Sequence, residues 1–246
     1  MLKVQNISKS YKGEAMAAVN DISFEVKSGE LLSLVGESGS GKTTLLRLIA
    51  GLERPDKGTI SNKGTPLASD GVWMAPEKRK IGLVFQGGAL FPHMDVAANV
   101  AYGLGWKGGI NNREVVLEYL DLVKLADKSS RYPHELSAGE RQRVALIRAL
   151  APSPDLILLD EPFSNLDVRL TKELREEMRT LLKKRAITAV LVTHDSEDAR
   201  DFADRIAILR KGKLVQIATT EQVVNHPCNE YCALLVRSSY TPKSEE

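Results

Sequence analysis

Cysteine is scarce in this sequence: among 246 residues only Cys228 and Cys232 carry a thiol. They lie four positions apart near the C-terminal end, with His226 close by in the sequence. Three potential ligands of this kind do not complete a zinc site, which needs at least one more from elsewhere in the chain. We therefore interpret the pair as two reduced, inert thiols in a reducing cytosol, with zinc binding as the alternative.

Long hydrophobic runs are also missing. A helix that spans a bilayer needs about 20 mostly apolar residues, whereas the longest apolar runs here, 156–159 and 189–193, have the length of strands. The first residues lack the long apolar stretch and the small-residue cleavage site of a secretory signal. We expect a polypeptide that does not cross a membrane by itself and that stays in the cytosol.

Neither sign of charge dominates, since 34 basic and 32 acidic side chains are interspersed and leave a formal net charge of +2. This balance produces no strong field, and we expect no nucleic-acid partner. Hydrophobic residues make up 43% and charged residues 27%, which excludes a disordered or fibrous chain. There is no internal repeat, and the length allows one large domain or two modest ones.

The order of the apolar segments predicts an α/β fold. Val19–Val26 alternates apolar and polar residues, as a strand of an antiparallel sheet does. The wholly apolar Leu31–Val35 is followed by a glycine-rich turn and then by helical spacing over 43–50, which ends at Gly51. Alternating helices and apolar strands predict a mostly parallel sheet. The further strands are expected at 80–85, 156–160 and 189–194.

A helical insert is predicted between the strands at 80–85 and 156–160. Helical periodicity occurs at 113–125 and at 138–150. The predicted organisation is a core of 1–86 and 155–240, a helical subdomain at about 87–154 and a frayed tail at 241–246. A glycine cluster ahead of the insert predicts a flexible connection, and it comprises Gly103, Gly105, Gly108 and Gly109.

The glycine-rich turn matches the P-loop pattern. Its glycines let backbone N–H groups surround phosphates, Lys42 can reach the β and γ oxygens, and the Thr43 hydroxyl can ligate magnesium. The alternative is an ordinary glycine-rich turn, but the position between an apolar strand and a helix favours nucleotide binding. A P-loop alone does not separate kinases, GTPases and transport ATPases. The residues expected to contact nucleotide here are Gly36, Glu37, Ser38, Gly39, Ser40, Gly41, Lys42, Thr43 and Thr44.

Two adjacent carboxylates end the predicted strand at 156–160. Ligands of open α/β sheets bind at the carboxyl ends of strands, so Asp160 can hold magnesium through a water and Glu161 can polarise the attacking water. The alternative is an acidic turn closed by Pro162. The upstream P-loop favours the catalytic interpretation.

The segment 136–142, Leu-Ser-Ala-Gly-Glu-Arg-Gln, resembles the signature motif of ABC ATPases. Ser137 and Gly139 begin a predicted helix, whose free N–H groups and dipole can face an anion. Ser137 and Glu140 also have the spacing of a capping box, and both interpretations can hold together. Ala138 and Glu140 depart from the usual glycine and glutamine, so we expect modest turnover.

The resemblance covers nearly the whole chain and implies a P-loop NTPase (RecA-like) core that binds ATP and Mg²⁺. It also implies a head-to-tail homodimer, or a pair with another ATPase subunit, in which the signature contacts the nucleotide of the partner copy. By the same resemblance, Tyr11 stacks on adenine, Gln86 contacts the metal and links γ-phosphate chemistry to a permease, and His194 binds the γ-phosphate. Asp167 is a further expected nucleotide-binding residue, with a helix cap as the alternative. The catalytic set is then Lys42, Gln86, Glu161 and His194, the metal set Thr43, Gln86 and Asp160.

The segments 91–94, 99–105 and 132–136 resemble importer ATPases for ferric iron, sulfate, polyamines and sugars, with ferric iron importers most similar. The resemblance implies a peripheral subunit at the cytoplasmic face of the membrane, beneath separate permease subunits and indirectly served by an external solute-binding protein. Many relatives carry a C-terminal regulatory domain, and we expect none here. The alternatives are a soluble ABC ATPase of DNA repair or translation, disfavoured by the lack of heptads and duplication, and a regulatory module without turnover, disfavoured by Glu161 and His194.

Overall fold

The computed structural model of the protein describes residues 1–14, 16–104, 112–164 and 166–237. Eleven strands of these residues form two sheets. The strands are β1 (Leu2–Lys9), β2 (Val19–Val26), β3 (Leu31–Val35), β4 (Lys57–Asn62), β5 (Thr65–Ser69), β6 (Val72–Trp73), β7 (Ile81–Val84), β8 (Leu156–Asp160), β9 (Thr188–Thr193), β10 (Arg205–Arg210) and β11 (Lys213–Thr219).

The first sheet has the order β2-β1-β4-β5-β6 and is antiparallel at each pairing. The second has the order β11-β10-β3-β9-β8-β7, in which only the β10–β11 pair is antiparallel. The predicted α/β class with an N-terminal antiparallel sheet is therefore confirmed. Because β3, β8, β9 and β7 are parallel, their carboxyl ends meet at one edge of the sheet.

Strand β3 lies inside the second sheet, and all five of its residues are buried. Leu31 packs into one apolar cluster with the helices on one face, whereas Leu32 and Leu34 pack into another that includes the first sheet. A strand covered on both faces must be apolar at every position, which explains the uninterrupted hydrophobic run.

Helices follow most strands of the second sheet. They are α1 (Lys42–Ala50), α2 (Val96–Leu104), α3 (Asn112–Asp121), α4 (Ala138–Leu150), α5 (Val168–Lys184), α6 (Ser196–Phe202), α7 (Thr220–Asn225) and α8 (Glu230–Arg237). Short 3₁₀ turns occur at Pro76–Lys78, Ala126–Lys128 and Pro133–Glu135. In the part of the chain that the structure describes, every helix is too short or too polar to cross a bilayer.

Helices α2, α3 and α4 all lie between β7 and β8, in the stretch expected to be helical. The helix predicted at 138–150 is confirmed, but the one predicted at 113–125 ends early, at Asp121. Lys124 adopts the left-handed conformation (φ 57°) and Leu125 donates its N–H to the Leu120 carbonyl, which closes the helix. The predicted flexibility at Gly105, Gly108 and Gly109 and the frayed tail at 241–246 lie outside the described residues.

A buried arginine fixes the C-terminal end of α1. Arg79 is 2% exposed, and its guanidinium donates to the carbonyls of Leu48 and Ile49 at 2.9 Å each. It also donates to the carbonyl of Leu67 in β5 and to that of Met74, directly after β6. Burial lowers the pKa of Arg79 to about 10. The side chain therefore satisfies helix-end carbonyls that would otherwise be buried without partners.

We expect Arg79→Ala to lower the free energy of unfolding by roughly 3 kcal/mol, because it leaves several buried carbonyls without donors. Urea denaturation measures this change. The exposed neighbour Lys78 provides the control: Lys78→Ala should change the free energy by less than about 0.5 kcal/mol. Equal, small effects of both substitutions would show that the arginine contributes little.

Candidate functional site

The glycine-rich loop connects the end of β3 to the start of α1. Gly41 has φ 100°, a left-handed conformation that favours glycine. A Cβ on Gly41 would lie 2.2 Å from the Ala18 carbonyl oxygen, and one on Gly36 would lie 2.3 Å from the Leu209 carbonyl oxygen. Two segments distant in sequence thus pack directly on the loop. A larger residue at Gly36 or Gly41 would clash with them and change the loop conformation.

Lys42, the first residue of α1, points back into the loop. Its ammonium donates to the carbonyls of Gly36 at 2.6 Å and Glu37 at 2.9 Å, and the residue is 6% exposed. Burial lowers the pKa of Lys42, while Glu161, Asp160 and Glu37 act in the opposite direction. A desolvated cation beside the free N–H groups of a helix start is a site for an anion.

Three strand ends bring polar side chains together next to the loop. Glu161 follows β8, and its carboxylate lies 3.1 Å from Nδ1 of His194, which follows β9. Gln86, after β7, donates from Nε2 to the same carboxylate at 3.4 Å and to the Ser164 hydroxyl at 3.3 Å. Glu161, Gln86 and His194 therefore form one hydrogen-bonded group.

Asp160, the last residue of β8, directly precedes Glu161. Burial, with a contribution from the Glu161 charge, raises the pKa of Asp160. Thr43, in the first turn of α1, lines the same cavity as Glu161. Carboxylate and hydroxyl oxygens are the hard ligands that a magnesium ion prefers. The donor set fits Mg²⁺, whose charge would relieve the repulsion between the carboxylates.

A cavity of about 660 Å³ opens over the loop. Ten of the predicted site residues line it, while Gly36, Glu37, Asp160 and Gln86 do not. These ten are Tyr11, Ser38, Gly39, Ser40, Gly41, Lys42, Thr43, Thr44, Glu161 and His194.

Other lining residues were not predicted. Lys211 reaches the cavity from the β10–β11 turn, where the Gly212 N–H donates to the Ser40 carbonyl at 3.1 Å. Met16 and Ala18 reach it from the segment before β2. No local motif marks these residues, because they approach the loop only through the folding of distant segments.

Ser137 and Gly139 are not among the residues that line this cavity. Ser137 caps α4: its hydroxyl accepts from the Glu140 N–H, and the Glu140 carboxylate accepts from the Ser137 N–H at 2.9 Å. Lys128 donates to the same carboxylate at 2.5 Å and, as the largest cause, lowers the pKa of Glu140. The charge of Glu140 is therefore paired, and the capping box inferred from the sequence is confirmed.

Asp167 caps α5, accepting from the Leu170 N–H at 2.9 Å, and it too does not line the cavity. The α4 and α5 starts are neighbours, since a Cβ on Gly139 would lie 2.8 Å from a Leu170 methyl carbon. Ser137, Gly139 and Asp167 thus lie near one another and outside the cavity over the loop.

The two cysteines lie in contact near the start of α8. Their sulfur atoms are 3.5 Å apart, and both thiols are free. Burial, together with the hydrogen bond to Cys228, raises the pKa of Cys232 to about 12. Within the ranges that the structure describes, no group of three or more Cys, His, Asp or Glu side chains has the arrangement of a metal site.

Comparison with known proteins gives curated relatives of high identity. The chain is 46% identical, over 96% of its length, to the "Fe(3+) ions import ATP-binding protein FbpC" of Pseudomonas fluorescens, of which it covers 66%. It is 45% identical, over 94% of its length, to the "Sulfate/thiosulfate import ATP-binding protein CysA" of Thermosynechococcus vestitus, of which it covers 67%. The chain thus spans about two thirds of the length of these relatives.

A solved structure of the ATP-binding cassette MJ0796, described as a dimeric post-hydrolysis state bound to ADP and Pi, is also similar. It shares 32% identity with a TM-score of 0.77, and the match covers 89% of this chain and 99% of that one. Residues 19–164, more than half of the chain, match the family model described as "ABC transporter". The protein therefore belongs to the ABC transporter family.

Proposed function

We propose that the chain is the ATP-binding and ATP-hydrolysing subunit of an ABC transporter that energises solute import through a separate membrane permease. The observation that carries this proposal is the hydrogen-bonded group of Gln86, Glu161 and His194 beside the loop that holds Lys42. A loop that binds phosphate, together with a positioned carboxylate, is what hydrolysis of a nucleoside triphosphate requires.

In this proposal ATP binds in the cavity over the loop, with its triphosphate on the N–H groups of 36–44 and its base against Tyr11. Lys42 then exchanges its bonds to the loop carbonyls for the β and γ oxygens. Thr43, Asp160 and Gln86 would hold Mg²⁺, which supplies charge neutralisation for the phosphates. The buried ammonium and the oxygen ligands are the features that support this assignment.

Glu161 is the proposed catalytic base, because its carboxylate follows β8 at the mouth of the cavity and accepts a hydrogen bond from Gln86. His194 contacts it through Nδ1, which leaves Nε2 as the atom that can meet the γ-phosphate. Gln86 contacts both the carboxylate and the loop after β8, so a change at the phosphate can be transmitted to Gln86.

A second copy of the chain would complete the site. Ser137 and Gly139 lie at the N-terminal end of a 13-residue helix but outside the cavity of their own chain. The positive end of that helix could therefore bind the γ-phosphate held by a partner copy. The similar MJ0796 structure is described as dimeric, which supports a head-to-tail homodimer.

The names of the relatives support the proposed location and substrate. Their names describe import of Fe(3+) and of sulfate or thiosulfate, so we assign an importer, with ferric iron as the proposed solute. Permease subunits in the membrane and an external solute-binding protein would then be the partners, and the chain would lie at the cytoplasmic face. We assign 1–86 and 155–240 to the catalytic core and about 87–154 to a helical subdomain.

Removal of the loop cation tests nucleotide binding. We expect Lys42→Ala to weaken ATP binding about 10- to 100-fold, because charge-assisted hydrogen bonds to the phosphates are lost. Isothermal titration with Mg-ATP measures the affinity, and Lys184→Ala, at an exposed lysine of α5, is the control. Undiminished affinity in the loop variant would contradict the phosphate site.

Neutralising the proposed base separates binding from hydrolysis. Glu161→Gln keeps the shape but removes the base, so we expect phosphate release to fall about 10²- to 10⁴-fold while ATP still binds. The variant should accumulate as an ATP-bound dimer, which size-exclusion chromatography detects. Glu221→Gln, at an exposed glutamate of α7, should behave like the unaltered chain. Normal turnover in Glu161→Gln would refute the assigned role.

Purification from membranes tests the transport proposal. A tagged chain isolated from gently solubilised membranes should bring with it a polytopic membrane protein, whose identity mass spectrometry gives. ATP hydrolysis by that complex should then respond to ferric iron but not to sulfate. Recovery of the chain only as a soluble homodimer would favour an ATPase that is not coupled to transport, and stimulation by sulfate alone would reassign the solute.

A further inference from the structure

Tyr11, the residue expected to stack on the nucleotide base, is joined to a glutamate 42 positions away. Its hydroxyl donates to Oε2 of Glu53, which lies beyond the C-terminal end of α1. The other carboxylate oxygen, Oε1, lies 3.5 Å from the guanidinium of Arg47 on the same helix. The carboxylate therefore bridges the phenol and a cation, and its side chain is only 20% exposed.

The backbone on both sides of this bridge is also fixed. The Glu53 N–H contacts the Arg47 carbonyl at 3.4 Å. Three residues on, Asp56 accepts from the Ser10 N–H at 2.7 Å and from the Lys9 ammonium at 3.1 Å. The segment after α1 thus holds the end of β1 at several points, and the Tyr11 ring is attached to the helix that begins at Lys42.

The Tyr11 ring and the glycine-rich loop are therefore both attached to α1. Tyr11 lines the same cavity as the loop residues, and α1 starts in that loop. The Lys9 ammonium lies over the Tyr11 ring, 5.8 Å from its centroid. A side chain already held in its bound orientation loses less conformational entropy when a ligand stacks on it.

We infer that Glu53 is a positioning residue, which holds the Tyr11 ring over the cavity so that it can stack on the base of the bound nucleotide. The inference rests on the proposed nucleotide site and adds a residue to it. Glu53 does not touch the phosphates in this arrangement, so its contribution concerns the base alone. Arg47 supports it by fixing the second carboxylate oxygen.

The test compares a ligand that carries a base with one that does not. We expect Glu53→Ala to weaken the affinity for Mg-ATP about two- to tenfold, the usual effect of freeing one ordered side chain. The affinity for inorganic tripolyphosphate should stay unchanged, because that ligand contacts only the loop. The KM for ATP should rise while kcat stays the same.

A double substitution shows whether Glu53 acts through the tyrosine. Tyr11→Phe keeps the ring and removes the hydroxyl, together with its side-chain hydrogen bond to Thr44, so it should weaken ATP binding at least as much as Glu53→Ala. The combined variant should bind ATP no more weakly than Tyr11→Phe alone, since that substitution already removes the Tyr11–Glu53 interaction. Glu53→Gln retains an acceptor oxygen and should recover most of the affinity, while the exposed control Glu77→Ala should change nothing.

The outcomes separate this inference from the proposed function. Equal losses for ATP and tripolyphosphate, or additive effects of the two substitutions, would overturn the positioning role and assign Glu53 to the stability of α1. Unchanged ATP affinity in both Glu53→Ala and Tyr11→Phe would overturn it as well. If the unaltered chain bound neither ligand, the proposed function itself would fail. Because Tyr11→Phe leaves the Glu53–Arg47 pair intact, it remains informative even if Glu53→Ala folds poorly.

Discussion

The Lys42 ammonium, held between the carbonyls of Gly36 and Glu37, is the interaction on which the rest of the site depends. A nearly buried cation needs close electronegative partners, and the tight loop supplies them. The loop can be this tight because two distant segments contact its glycines directly, at the Ala18 and Leu209 carbonyls. Any change that separates these segments from the loop would therefore disturb the lysine.

The parallel sheet determines what surrounds that lysine. With β3, β9, β8 and β7 adjacent and parallel, the residues after β7, β8 and β9 emerge at one edge, beside the loop after β3. Gln86, Glu161 and His194 come from segments far apart in sequence, yet they form one hydrogen-bonded group. The backbone of each strand end is held by the sheet, which places these three side chains within reach of one another.

In a single chain, the helix start at Ser137 and Gly139 lies outside the chain's own cavity. The proposed dimer would bring this helix start to the cavity of the partner copy. In each copy the cavity lies over the glycine-rich loop, and the positive end of α4 lies outside that cavity. The Glu140 departure from the usual signature is less consequential for charge than the sequence indicated, because Lys128 neutralises it. The expected modest turnover of this protein stays a prediction.

Local patterns were sufficient to predict β2, β3, β8 and α4, since burial on one or both faces dictates their periodicity. They were also sufficient to predict the loop 36–43, whose glycines and lysine have a fixed spacing. Periodicity failed at the end of α3, where a left-handed Lys124 stops the helix. Only the tertiary structure brought Glu53 to Tyr11, Lys211 to the cavity and Arg79 to the end of α1. These contacts join residues that are distant in the sequence and depend on how sheets and helices pack, which no local spacing encodes.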